Sequence, residues 1–331
     1  MKLLDCTLRD GGNVVGRGFN AELTTMIIRG LIRSNVKVIE MGNCTGIGSY
    51  EANNSIAPCT DKEYLELVQP FLSQAEIGMF MGWKNGTQEN VNLAKSYGLK
   101  FLRVGANAGD GKNACDAVKR VKDAGMTCRF SMMKAYVSTP DELAEEAAML
   151  ESCGLDEVTV MDSAGTMMPN DASAYVKALK SRVKIPVAFH GHNNLGLSVA
   201  NALAAHEAGA DVFDCGLLGM ARSAGNCATE LAAAAFQRLG LLQDVDLMAM
   251  LDFEDSELIP AMEKYNYHVA VKPFDLILGL AGAHSSFTKM FKEVAEAKGV
   301  SLYKLILEVS KVDRKNPSRE LTEKTAESLR G

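Results

Sequence analysis

Eight short runs rich in β-forming apolar residues recur along the chain, and each gap between them has room for one amphipathic helix. The runs are Lys2–Leu8, Val36–Met41, Glu76–Met81, Lys100–Val104, Met126–Met132, Glu157–Met161, Ile185–His190 and Asp211–Cys215. "VKVIEM" and "EVTVM" are almost continuously apolar, as strands covered on both faces must be. Strands that alternate with helices pair in parallel, because a parallel connection needs a crossover, and eight of them close a barrel. The pattern therefore predicts an α/β chain folded as a (β/α)8 TIM barrel.

The intervening stretches read as helices. "TPDELAEEAAMLESCG" is one, with Thr139 as its cap, Pro140 in the first turn and Gly154 at its end. A length of 331 residues exceeds the roughly 250 that such a barrel uses, so an appendage is expected. The alternation stops near Leu239. From Val245 onward "DLMAMLDFED", "SELIPAMEKY", "SSFTKMFKEVAEAKG", "SLYKLILEVSKV" and "RELTEKTAESLRG" read as helices. The expected organisation is a barrel over residues 1–243 and a helical C-terminal domain over 244–331.

Composition removes several classes. Apolar residues make up 47% of the chain, which suits a large core and excludes disorder. Lys and Arg number 35 against 41 Asp and Glu without a dense basic run, so nucleic acid and anionic membrane are poor partners. No apolar stretch approaches the roughly 20 residues of a membrane span. "MKLLDCTLRD" has a short apolar run broken by Asp5, without the long core of a signal peptide. The 8 Cys are scattered without CxxC pairs, which predicts reduced, buried thiols and a cytoplasmic location.

In a parallel barrel, reacting groups gather where strands end and the following loops begin. Polar residues stand at most of these exits: Arg9-Asp10, Glu40 and Asn43, Arg103, Lys134, Asp162-Ser163, "HGHNN" from His190, and "GLLGMARSAGNCATE". His190-Gly191-His192 is the most informative. Residues two apart in an extended segment share a side, so both imidazoles can face one point. Two neutral imidazoles with a carboxylate form a common divalent-metal face that leaves positions for substrate and water. Asp10 suits the third position, because only the eighth strand separates the first from the seventh, and Asn226 would add a fourth oxygen. The alternative is a structural histidine pair. Arg9 either holds a carboxylate or enolate oxygen or forms a buried ion pair with Asp10 or Glu40. Gly11 and Gly12 are expected to let backbone approach a ligand. Met79, Met81 and Trp83 either line a substrate pocket or belong to the core.

"TLRDGG", "HGHNNLGLSVANALAAHEAGADVFDCGLLGM" and "SAGNCATE" together resemble the DRE-TIM metallolyases. That superfamily includes 4-hydroxy-2-oxoacid aldolases, 3-hydroxy-3-methylglutaryl-CoA lyase, and the isopropylmalate and homocitrate synthases. "MDSAGTMMPND", "GLAGAHSSF" and the helical tail resemble its pyruvate-specific 4-hydroxy-2-oxovalerate aldolases, so the likeness runs nearly end to end. The resemblance implies a metal-dependent lyase that cleaves or forms the C3–C4 bond of a 4-hydroxy-2-oxoacid through a pyruvate enolate. It implies Asp10, His190 and His192 as ligands to Mn2+ or Mg2+, with Asn226 completing the shell as in the lyase branch. It further implies that Arg9 steadies the enolate and that Ser163 lies near the bound oxoacid. The implied partners are a 2-oxoacid (pyruvate) and an aldehyde, an acylating aldehyde dehydrogenase on the helical appendage, and further copies of the chain in a homo-oligomer.

The sequence departs from that pattern at the acid–base position. The pyruvate aldolases carry a catalytic histidine after "RDGx", where this chain has Asn13, and a tyrosine where it has His284. Asn13 cannot exchange a proton usefully near neutral pH. A histidine can, so His284 is expected either to take over that role or to serve as a hydrogen-bonding residue at a helix start. Three rival readings remain. One is a Claisen-type enzyme acting on acyl-CoA, although "GLLGMARSAGN" lacks the loop cysteine of the CoA lyase. The second is a Schiff-base aldolase using Lys134 or Lys84, both expected to be solvated. The third is a non-catalytic barrel that acts as a docking subunit.

Overall fold

A computed structural model describes residues 1–52, 54–267, 277–279 and 281–330. Strands β1 (Lys2–Asp5), β2 (Val38–Met41), β3 (Glu76–Gly82), β4 (Phe101–Asn107), β5 (Thr127–Met133), β6 (Glu157–Asp162), β7 (Val187–Gly191) and β8 (Val212–Cys215) form a closed barrel in sequence order. Every pairing is parallel, and β8 returns to β1 with Lys2 beside Val212 and Asp5 beside Cys215. The eight expected runs are all strands.

Side chains alternate across each strand, so one set faces the helices and the other faces the barrel axis. Leu4, Cys6, Val38, Phe101, Ala188 and Val212 form an apolar cluster at the base of the interior. Two residues further along, the same inward rows carry Glu40, Arg103, His190 and Asp214, all buried. Charge thus enters the barrel interior before the strands end.

The helix Pro140–Ser152 begins as its sequence predicts: the Thr139 hydroxyl and the Glu142 carboxylate satisfy each other's backbone N–H groups, and Pro140 fills the first turn. Helix Ala21–Arg33 starts at Asn20, whose side chain accepts from Leu23 N–H. Its buried face, including Ile27, Ile28 and Leu31, belongs to the main core.

Strand β1 ends at Asp5 rather than Leu8. The Asp5 carboxylate accepts from Thr7 N–H (2.9 Å) and from the Thr229 hydroxyl (2.7 Å), and Arg9 and Asp10 both donate backbone N–H to Cys6 O. These bonds favour a turn over extension, although Cys6-Thr7-Leu8 read as strand.

The helices beyond the barrel fall into two groups. Val245, Met250, Phe253, Leu258 and Met262 share the barrel's core, whereas Leu278, Phe291, Val294, Leu305, Ile306, Val309 and Ala326 make a cluster of their own. The second group comprises the helices Thr288–Lys298, Leu302–Val312 and Arg319–Ser328. Within the expected appendage, residues 268–276, 280 and 331 lie outside the described residues. No helix among the described residues is long and apolar enough to cross a membrane.

Cys6, Cys44, Cys59, Cys128, Cys215 and Cys227 are buried and free, as expected. Cys115 and Cys153 correct that expectation, because they are paired in a disulfide with Cα atoms 5.8 Å apart. One opens the helix Cys115–Asp123 and the other follows Pro140–Ser152, so adjacent helices join residues that no short spacing relates.

Candidate metal centre

The turn after β1 carries Asp10 to the mouth of the barrel, where β7 delivers His190 and its exit delivers His192. The loop after β8 is fastened to that exit by hydrogen bonds from Asn193 N to Gly225 O (2.8 Å) and from Cys227 N to Gly191 O (3.0 Å). Asn226 is thereby set opposite His192. The loop after β6 closes in behind them at Gly165. A Cβ there would stand 2.6 Å from both His192 O and Asn194 N, and the backbone is left-handed (φ +59°), so glycine is required.

Asp10, His190 and His192 are all buried, and one donor atom from each lies within 4.8 Å of the others. Asp10 Oδ2 is 3.6 Å from His190 Nε2 and 3.8 Å from His192 Nε2. Asn226 Nδ2 donates to the same carboxylate oxygen at 3.0 Å. His190 Nε2 and Asn226 Oδ1 are buried and have no partner among the described residues. Unpartnered lone pairs around a carboxylate are what a cation would satisfy. Burial would raise the Asp10 carboxyl, but Arg9, His192, His190 and Asn226 outweigh it and hold the group well below the usual carboxylate range. Burial pushes His192 down to about 4, so its ring is neutral at physiological pH and able to ligate.

Behind the ligands runs a chain of buried charge. Arg9 Nε donates to Glu40 Oε1 at 2.6 Å, and Arg103 Nε donates to the other oxygen of Glu40 at 2.5 Å. Arg103 Nη1 also donates to Asp214 Oδ2, which lies 3.1 Å from His190 Nδ1. With Nδ1 given to Asp214, the Nε2 lone pair of His190 faces Asp10. Despite burial, Arg103 and His190 hold the Asp214 carboxyl at about 2. Of the two alternatives for Arg9, the buried ion pair is formed. Arg9 pairs with Glu40 and, at 3.2 Å, with Asp10, while its buried Nη2 has no partner among the described residues.

Asn13 Nδ2 donates to Asp10 O (2.8 Å) and more weakly to Asp10 Oδ1 (3.3 Å), while its Oδ1 accepts from Arg222 Nε (2.8 Å). Its amide therefore bridges a candidate ligand and a guanidinium. Ser163 is buried at the exit of β6, and its hydroxyl accepts from Lys134 N–H at 2.9 Å. His284 stands at the start of a short helical turn, with Nδ1 2.8 Å from Ser286 Oγ and accepting from Ser286 N–H at 3.2 Å. Burial and the charges of Arg222, His192 and Lys134 push its imidazole down to about 3. It is thus both a helix-start residue and a neighbour of the centre.

Several expectations change. Gly11 and Gly12 accommodate the protein rather than a ligand, since added Cβ atoms would lie 3.1 Å from Met220 Cβ and 2.9 Å from Gly18 Cα. Met79 and Met81 are fully buried core residues, while the alternate residue Phe80 lies beneath the Arg9 guanidinium at 5.2 Å. Lys84 is exposed as expected, but Lys134 is half-buried, with Nζ donating to Lys315 O at 2.7 Å. Asp214, Arg222 and Phe80 escaped the reading of the sequence. An aspartate inside the apolar run "DVFDC" was the available signal for Asp214, because an unpaired carboxylate is rarely buried. A cavity of about 870 Å³ opens at the opposite end of the barrel, among Lys2, Val38, Glu76, Lys100 and Thr127, away from these groups.

Known proteins share this architecture. The carboxyl transferase domain of Rhizobium etli pyruvate carboxylase superimposes with a TM-score of 0.76 over 99% of this chain and 60% of that one. Identity there is 16%, a likeness of fold alone. A 4-hydroxy-2-oxovalerate aldolase of Carboxydothermus hydrogenoformans is 32% identical over 94% of this chain and 92% of its own length. The 4-hydroxy-2-oxovalerate aldolase 2 of Nocardia farcinica is 35% identical over 93% and 88%. The HMGL-like family profile matches residues 1–256, which include the barrel and every candidate ligand, and the chain belongs to that family.

Proposed function

We propose that the chain is a divalent-metal-dependent aldolase, a carbon–carbon lyase that cleaves or forms the C3–C4 bond of a 4-hydroxy-2-oxoacid through the pyruvate enolate. One observation carries the reading. Asp10 and two imidazoles converge in a buried site where, among the described residues, donor atoms of His190 and Asn226 and a nitrogen of Arg9 have no partner. The similarity to 4-hydroxy-2-oxovalerate aldolases over nearly the whole chain supports it.

The mixed oxygen and imidazole donors suit Mn2+ or Mg2+, held by Asp10, His190, His192 and Asn226. Such an ion supplies Lewis acidity toward the keto oxygen of the oxoacid. Arg9 supplies fixed positive charge where the enolate oxygen develops. Its Nε and Nη1 are committed to Glu40 and Asp10, so Nη2 is left for substrate and needs no reorganisation. Ser163 donates its hydroxyl proton to the oxoacid carboxylate while its oxygen stays fixed by Lys134 N–H. In cleavage, His284 takes the C4 hydroxyl proton as the C3–C4 bond breaks and the aldehyde leaves; in synthesis it returns that proton. Its ring is neutral at physiological pH, and the negative charge of bound substrate raises its basicity toward the working range. For Nε2 to act as base, Nδ1 carries the ring proton and donates it to the Ser286 hydroxyl, giving up the contact it accepts from Ser286 N–H. Asn13 positions Asp10 and moves no proton. The remaining proposals are a homo-oligomer, an acylating aldehyde dehydrogenase on the C-terminal helices, and a cytoplasmic location.

The test is pyruvate release from 4-hydroxy-2-oxovalerate, followed by coupled lactate dehydrogenase. Turnover with Mn2+ or Mg2+ that stops on chelation, is lost in His190→Ala and falls at least tenfold in His284→Phe supports the reading. Free thiol released from an acyl-CoA, with no cleavage of any 4-hydroxy-2-oxoacid, would favour the Claisen alternative.

A further inference from the structure

Arg222 and Lys134 are cations at the mouth of the barrel, and among the described residues neither has a carboxylate within ion-pair distance, although Asp313 and Asp110 act on Lys134 from farther away. Arg222 is half-buried in the loop after β8, and its Nε is fixed on Asn13 Oδ1 at 2.8 Å. Asn13 in turn holds Asp10, so one amide separates this guanidinium from a ligand of the centre. Lys134 ends β5 in a left-handed conformation (φ 57°, ψ 42°), which is costly for a residue with a side chain. Its N–H is anchored by Ser163 Oγ, its Nζ donates to Lys315 O, and its ammonium lies 5.2 Å from the Phe287 ring centroid. Among the described residues, no carboxylate comes within 4.0 Å of either cationic group, and Arg222 Nη1 and Nη2 have no hydrogen-bond partner.

Phe287, against whose ring the Lys134 ammonium lies, donates its N–H to His284 O at 3.2 Å, and Asn13 joins Arg222 to Asp10; both cations also lower the His284 imidazole through their charge. They therefore stand near the residue proposed to handle the C4 hydroxyl, the atom that comes from the aldehyde carbonyl. The carboxylate of the oxoacid already has its own recipients in the metal centre and Ser163. A short neutral aldehyde would leave the fork of Arg222 unpaired as the site fills and water is displaced. Fixing Nε on Asn13 keeps that fork oriented, and a fork geometry matches carboxylate and phosphate oxygens in pairs.

We propose that Arg222, assisted by Lys134, is a subsite for an anionic group on the aldehyde, so that the acceptor is a carboxylated or phosphorylated aldehyde. This rests on the aldolase reading and narrows it. The reaction is the ordinary aldol addition: the C3 carbon of the enolate bonds to the aldehyde carbon, and the carbonyl oxygen takes one proton to become the C4 hydroxyl. The anionic group is bound and does not react.

The experiment compares aldol addition of pyruvate to matched acceptors: succinic semialdehyde against butanal for the carboxylate, and glyceraldehyde 3-phosphate against glyceraldehyde for the phosphate. In the wild type, the anionic member of at least one pair is expected to have a kcat/KM about tenfold or more above its neutral partner, the scale of one charge-assisted contact. Whichever pair shows the preference identifies the anion. Arg222→Ala should collapse that ratio to within about threefold, mainly through KM, Arg222→Lys should restore part of it, and Arg222→Glu should reverse it. A merely structural role for Arg222 would lower both members of a pair alike. Pyruvate methyl proton exchange is measured in parallel. Exchange with a ratio near one in the wild type, or with a ratio unchanged in Arg222→Ala, overturns this inference and leaves the aldolase reading standing. Absence of exchange and of turnover with every acceptor overturns both.

Discussion

Truncating Asp214 to alanine tests whether the buried charge chain builds the metal centre. Asp214 and Arg103 are both fully buried, and among the described residues Asp214 and Glu40 are the carboxylates paired with that guanidinium. Removing one partner of a buried pair typically costs about 3–5 kcal/mol, because the remaining charge loses its compensation. The same change frees His190 Nδ1, and losing the group that orients a ligating imidazole typically weakens metal binding about 10–100-fold. Asp214→Asn makes the test sharp. A single oxygen, Oδ2, accepts from Arg103 and faces His190, so an amide oxygen in its place can keep both contacts while the charge is lost and an NH2 replaces the buried Oδ1. With charge-assisted bonds about 1 kcal/mol stronger than neutral ones, the asparagine variant should lose about 1–2 kcal/mol and bind metal within about tenfold of wild type. Urea unfolding of the apoprotein and calorimetric titration with Mn2+ read the two effects. Glu257→Ala, which breaks an exposed pair with Arg33, serves as control and should cost less than about 1 kcal/mol. Equal Mn2+ affinities for Asp214→Ala and Asp214→Asn, or an alanine variant within twofold of wild type, would refute the reasoning.

Three further outcomes follow from the same contacts. Arg9→Lys keeps a positive charge but loses the fork that spans Glu40, Asp10 and substrate, so kcat/KM should fall about 10²–10³-fold; a loss below threefold would mean that Arg9 is only an ion-pair partner. In the apoprotein, ring-nitrogen NMR should find His192 neutral down to about pH 4. Its folded value lies below the unfolded value of about 6.5, so its stabilising contribution is complete above about pH 6.5 and is lost as pH falls toward 4. Charging at its ordinary pH would show that the pocket is wet. Thr139→Ala removes a capping box and should cost about 1 kcal/mol in thermal or urea unfolding with no change in Mn2+ affinity.

The barrel was legible because strands buried on both faces are nearly continuous in apolar residues, and because helices begin at residues such as Thr139 and Pro140 whose chemistry is local. Strand ends were less legible. Cys6-Thr7-Leu8 have strand-like side chains, and the turn there depends on Thr229, a partner more than two hundred residues away. Ligand convergence could be read from His190 and His192 sharing one side of an extended segment and from the neighbourhood of β1 and β7 in a closed barrel. The inner network could not, because Asp214 and Arg103 meet across the barrel axis and depend on register. Asn13 was unexplained by resemblance for a related reason: its role lies in Arg222, which the loop after β8 brings to it from a distant part of the chain. The Cys115–Cys153 pair is likewise a product of packing between neighbouring helices.

The central claim is that Asp10, His190 and His192 hold a divalent ion that, with Arg9, makes pyruvate an enolate. Loss of the pyruvate methyl proton signal in D2O, followed with Mg2+ or Mn2+ and again after chelation, tests it most directly. The account predicts exchange that requires the metal, disappears in His190→Ala and falls sharply in Arg9→Lys. Exchange that persists after exhaustive chelation, or its complete absence with every divalent ion supplied, would contradict it.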